Sequence, residues 1–137
     1  MTKIFLGLAL VLVVSGCAPR GETLTMEQVL ELSQKRMEAA ELTLNGSLPK
    51  NVSDLKDFLA KALSESNNNK ILTQVGDTLA TLIPHAAITS RAALNELAVQ
   101  FKELGARGNT TQDQVTLLVS RTYHAVASEL ETTRFAL

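Results

Sequence analysis

Two histidines, a single cysteine, scattered serines and a row of glutamates are the side chains here with the chemistry to act on a substrate or hold an ion. His85 and His124 have neither an HxxxH nor an HxxE partner, the spacings by which one helix face offers two ligands or a ligand and a base. If their helices pair antiparallel, His124 falls opposite Arg91, and the two imidazoles stand roughly 9 Å apart along the axis. Zinc holds all its ligands within about 2.3 Å of one point, so no shared metal is expected. Ser64, Ser90, Ser120 and Ser128 lack the flanking glycines of a nucleophile elbow. Gly105 to Gly108 lies between helical segments and not after a strand, so it reads as a turn and not as a phosphate cradle. Glu27, Glu31 and Glu38 line one helix edge with Lys35 and Arg36 close by, the pattern of a solvated face. Cys17 stands alone, which excludes an internal disulfide and a paired thiolate site. The expectation is a protein that is not an enzyme and carries no metal or cofactor.

Cys17 has a context of its own. A run from Ile4 to Val14 without a charge follows Lys3, and Val14-Ser15-Gly16-Cys17 closes it. A basic start, an apolar stretch of about 7–15 residues and small residues before a cut describe a secretory signal peptide. The run is short for a spanning helix, which needs about 20 apolar residues, and Gly16, Pro19 and Gly21 crowd its end. The segment resembles the lipobox of bacterial lipoproteins. The resemblance implies a signal peptide over residues 1–16 and a Cys17 that carries acyl chains such as palmitate as the first mature residue. Plain secretion and a single anchor helix are the competing readings. Two or more chains give stable anchoring where one gives only marginal binding. Ala18 stands where some such lipoproteins carry an inner-membrane retention aspartate, so the outer membrane, on its periplasmic face, is the expected location.

The remaining chain offers little to other partners. Thirteen Lys and Arg, one of them Lys3 in the leader, face 14 Asp and Glu, without the basic stripe that nucleic acid requires. About 120 residues suffice for one domain with a core. Residues 17–23 read as a lipidated start and short tether, and residues 24–137 as the folded domain.

That domain reads as all-α, a small bundle of four to five antiparallel helices joined by short loops. Thr25 and Gln28 form a capping-box pair ahead of Met26, Val29, Leu30, Met37, Ala40 and Leu44, with Asn45-Gly46 as a stop. Val52, Leu55, Phe58, Leu59, Ala62 and Leu63 stripe a second helix that starts near Asn51. A third covers Ile71 to Ile83, where Pro84 either kinks or breaks the chain. A fourth runs from about Pro84 to Leu104 and stops at Gly105. It carries two apolar stripes, one with Leu97 and Phe101 and one with Ile88, Ala92 and Val99. An interior spine is expected of such a helix. Thr111 and Gln114 repeat the capping box and open the last helix, whose core stripe is Val115, Leu118, Val119, Thr122, Val126, Leu130 and Leu137. The likeness of the two caps is convergence on a good helix start, because it fades after the first turn.

On the reverse side of the last helix lie Leu117, His124 and Phe135, with Arg121 beside them. They either cover a further helix or present a seam to another protein. The expectation is a membrane-anchored, non-catalytic helical protein that binds an envelope protein partner through this seam. In architecture alone it is similar to the helical lipoprotein pilotins, which escort secretion-channel subunits to the outer membrane, though without their stabilising disulfide. The alternative is a periplasmic bundle holding a small apolar ligand in an enclosed cavity, with Arg91, Tyr123 and His124 at its mouth.

Overall fold

The computed structural model describes residues 24–43 and 48–132. Cys17, its leader and tether, Leu44, the Asn45-Gly46 stop, Phe135 and Leu137 lie outside the described residues. Five α-helices follow in order: α1 (Met26–Leu42), α2 (Lys50–Ser64), α3 (Asn69–Leu82), α4 (Ile88–Arg107) and α5 (Gln112–Thr132). A short 3-10 turn, Ile83–His85, separates α3 from α4. Among the described residues there is no strand, and no helix is long and apolar enough to cross a membrane.

Local chemistry sets the helix ends. The Thr25 hydroxyl accepts from the Gln28 amide at 3.1 Å, and the Gln28 side chain accepts from the Thr25 amide at 2.8 Å. Thr111 and Gln114 make the same reciprocal pair at 3.2 and 2.9 Å. Each box satisfies two amides that the first turn would otherwise leave without partners. Asn68 caps α3 through the Ile71 amide. Pro84 breaks the chain and does not merely kink it: the 3-10 turn absorbs the proline, and α4 starts afresh from Ala87.

The helix that organises the bundle is α5, not α4. Its expected stripe is buried from Val115 to Leu130, and so are Thr116, Ser120, Tyr123, Ala127 and Glu129. Neighbours surround it: α1, α4 and α2 all pack against it. The hydroxyls in this interior are satisfied within the helix, Ser120 donating to the Thr116 carbonyl and Thr122 to that of Leu118, each at 2.8 Å. By contrast α4 buries Leu94, Leu97, Ala98, Phe101 and Leu104, while Ile88, Ala92 and Val99 face solvent. The two-stripe pattern that marked α4 as a spine is therefore corrected. No described helix lies beyond its second stripe.

Two glycines set the closest helix contact. Helix α4 runs through Gly105, the expected stop, and ends three residues later at Gly108, whose left-handed φ of 72° makes the cap. Gly105 instead lies against α3, where a methyl group would overlap the Thr73 hydroxyl and approach the Asn69 carbonyl to 2.9 Å. On α3, a methyl on Gly76 would stand 2.8 Å from the Ala98 carbonyl. The pair lets α3 and α4 meet backbone to backbone, in antiparallel register. Helices α4 and α5 are antiparallel as well, with Glu129 reaching Ala87 and Ser90. Helix α1 lies antiparallel along α5 and not on its sequence neighbour α2.

Helix α4 has no side-chain cap of its own. Glu129, 2 % exposed, supplies one from α5 by accepting from the Ala87 amide at 3.0 Å and from the Ser90 hydroxyl. A carboxylate there also complements the positive end of the helix dipole.

Two stability predictions follow from these contacts. Alanine for Gly76 or Gly105 should destabilise by about 1–3 kcal/mol through overpacking, although Ala exceeds Gly by about 1 kcal/mol in an open helix. Urea denaturation checks the sign, and a stabilised variant would overturn the close-approach account. Glu129→Ala should cost about 1 kcal/mol by leaving a half-buried amide and hydroxyl without their acceptor. Hydrogen exchange should then localise the loosening to the first turn of α4.

Candidate functional site

The reverse face of α5 carries a polar row that α1 packs against. His124, Ser128 and Glu131 succeed one another at spacings of four and three, which aligns them along one side. Arg36 of α1 reaches all three. Its guanidinium stands 3.2 Å from His124 Nδ1, donates to the Ser128 hydroxyl at 2.9 Å and pairs with the Glu131 carboxylate at 3.0 Å. The planar fork of arginine suits such a row, since several donors project in fixed directions. From the sequence Arg36 read as a local offset to neighbouring glutamates. The row on α5 was the signal that it had a tertiary role.

These contacts decide what remains of the expected seam. A guanidinium has donors alone, so Nδ1 of His124 accepts and the neutral ring keeps its proton on Nε2. Burial lowers the His124 pKa from the ordinary 6.5, the Arg36 charge lowers it further, and Glu131 opposes both. His124 therefore belongs to the α1–α5 joint. Arg121 is exposed and Leu117 half-buried. Both precede His124 on α5, while Tyr123 senses Glu41 near the C-terminal end of α1. By that register Leu117 and Arg121 lie past the point where α1 stops, and its last residue, Leu42, is 74 % exposed. Phe135, the fourth member of the seam, is outside the described residues.

A second feature spans α1 and α2. Lys56 of α2 holds both carboxylate oxygens of Glu41, at 2.6 Å for one of them. Beneath this bridge is an open depression of about 230 Å³ lined by Gln34, Met37, Glu38, Lys56 and Tyr123. Burial, and then the Glu41 charge, raise the Tyr123 pKa above 10.0, so the phenol stays neutral. The arrangement that would favour the ligand-binding alternative, Arg91, Tyr123 and His124 around one enclosed cavity, is not formed among the described residues. Arg91 folds back onto the carbonyls of Ala86 and Pro84 at 3.1 and 3.0 Å, His124 engages Arg36, and the Tyr123 depression is open and lined by polar and apolar side chains together. Ligand pockets are more often 300–1,000 Å³ and apolar. His85 is exposed in the 3-10 turn, away from the α1 joint, and no group of three or more His, Cys, Asp or Glu among the described residues could hold a metal ion.

The lowered His124 pKa carries a pH dependence. Its unfolded form binds a proton near pH 6.5 and its folded form only below that, so stability is complete above 6.5 and falls as pH drops toward the folded value. The urea midpoint should be lower at pH 5.5 than at 7.5, and His124→Gln should narrow that difference. In Arg36→Gln the His124 pKa, followed by NMR, should rise. An unmoved titration would remove Arg36 as a cause.

No protein-family model, curated protein or solved structure matches this chain. What it does has to be argued from its own residues.

Proposed function

We propose that this chain is a membrane-anchored, non-catalytic lipoprotein of the bacterial envelope that holds a protein partner close to the membrane. The observation that carries this reading is Val14-Ser15-Gly16-Cys17 at the close of an uncharged, mainly apolar run, with only a few residues before the first helix. In it, Cys17 bears the acyl chains and residues 18–23 form the tether. The bundle is then a rigid adaptor, in the general manner of a pilotin, on the periplasmic side of the outer membrane.

The surface that suits a partner is the upper part of α5 around Leu117 and Arg121, together with Leu42 at the end of α1. Exposed apolar surface beside a cation offers both buried area and a steering charge. This surface lies toward the middle and far end of the bundle, away from where the tether joins α1. A partner bound there would not compete with lipid for the same face.

In-cell crosslinking of a C-terminally tagged chain, with mass spectrometry of membrane fractions, tests the reading. The wild type should give one dominant envelope partner. Leu117→Glu should reduce its recovery at least tenfold with helicity and melting unchanged. Cys17→Ser should abolish acylation and release the chain from the membrane fraction. Undiminished capture by Leu117→Glu would dismiss this surface, and an unacylated wild-type Cys17 would dismiss the anchor.

A further inference from the structure

The two ends of the bundle are built from different connections, and the described chain begins at one of them. At the far end the α2–α3 and α4–α5 connections meet, with Thr110 donating to the Ser66 carbonyl and Gln112 to that of Leu63. That end is polar and charged: Glu65, Asn67, Lys70, Arg107, Asn109 and Asp113 are all exposed there. The near end holds the α3–α4 corner beside the first turns of α1, where Glu27 and Glu31 are exposed. From Thr78 to Ser90 the chain has no Asp, Glu, Lys or Arg. Ile88 is 80 % exposed, the most exposed of the large hydrophobic side chains, and Pro84 and Thr89 are exposed beside it in sequence. An isoleucine standing in water forgoes the free energy of burial that its side chain would gain in a core. A scattered exposed apolar residue, such as Val99 higher on α4, is ordinary. An uncharged corner crowned by one is a different matter.

The tether joins at this same end. Helix α1 runs antiparallel to α5, so its start lies toward the C-terminal end of α5. Glu129, near that end, binds Ala87 and Ser90 at the corner. Residues 18–23 span at most about 20 Å when fully extended. Leu24, where the described chain begins, is itself 52 % exposed.

We infer that the α3–α4 corner, with Ile88 at its tip, rests on the lipid surface and orients the bundle with its polar end pointing away from the membrane. The inference rests on the anchor reading above and adds an orientation to it. Ile88 and Pro84 enter the boundary between headgroups and acyl chains, while His85, Thr81 and Thr89 remain among the headgroups. Arg91, the first charge after the corner, is held on the Ala86 and Pro84 carbonyls, where a cation can also face lipid phosphate. The contact is shallow: no helix among the described residues can span the bilayer, and the acyl chains supply the affinity. The corner supplies direction.

Because the chain has no tryptophan, one introduced indole reports its own surroundings. Full-length acylated Ile88→Trp and Asn109→Trp, one at each end, would be purified from bacterial membranes and reconstituted into phosphatidylethanolamine–phosphatidylglycerol vesicles. Lipids brominated high on the acyl chain serve as the quencher. Tryptophan favours this interface, so the Ile88 variant should keep its helicity, and Thr89→Trp repeats the reading if it does not. Expected is a blue-shifted emission for Ile88→Trp that loses at least half its intensity in brominated vesicles, with Asn109→Trp unchanged. If the acylated protein floats with the vesicles but both indoles respond alike, or Ile88→Trp stays unquenched, the orientation is wrong and the anchor stands. If intact mass shows no acyl chain on Cys17 and the protein does not float, the anchor and the orientation fall together.

Discussion

The rest of this bundle follows from having to cover α5 on most of its circumference. A helix that buries Val115, Val119, Tyr123, Val126, Ala127 and Leu130 cannot rest on one neighbour. Helices α1, α2 and α4 each take part of it. Surrounding one helix brings three others within reach of its polar side chains, and those become the joints. Glu129 caps α4 and Arg36 ties α1 to the His124–Ser128–Glu131 row. Hydroxyls that face this interior return to the carbonyls of α5 itself, so they need no partner from the surrounding helices.

On the outer side, α3 and α4 are held by shape more than by charge. Gly76 and Gly105 remove two side chains where the backbones cross, and Leu72, Val75, Leu79, Leu97 and Phe101 fill the space around them. The Lys102–Asp77 pair at 3.3 Å lies at the surface of this contact and contributes little. Helix α1 is the least enclosed: it leans on α5 and reaches α2 through the Lys56–Glu41 bridge. Its joint includes a histidine whose pKa is lowered, so acid weakens the attachment of α1.

Function in this reading comes from polarity along the bundle axis and not from a pocket. The α3–α4 corner, which carries no charge from Thr78 to Ser90, lies at the end where α1 begins, the α2–α3 and α4–α5 connections form the other end, and the surface around Leu117 and Arg121 lies between them. A lipid-anchored adaptor needs that division, because a partner surface turned toward the bilayer would be shielded from anything but lipid.

The sequence by itself determined what depends on near neighbours in the chain. The Thr25 and Thr111 caps, the buried stripe of α5 and the antiparallel register of α4 on α5 were legible because each arises within a turn or two, or across one short loop, whereas at Pro84 a kink and a break carry the same local signature. The likeness of Val14-Ser15-Gly16-Cys17 to a lipobox rests on sequence alone. Tertiary structure decided which of the two stripes on α4 is covered: periodicity shows that Ile88, Ala92 and Val99 share a face, but not whether a helix lies beyond it. It also decided that Gly105 is a contact and not a stop, since a glycine ends a helix or admits a neighbour with the same local signature. Only the meeting of α1 with α5 turned Arg36 from a surface charge into a joint and moved His124 out of the expected binding seam. Each of these depends on what arrives from elsewhere in the chain, which local propensity does not encode.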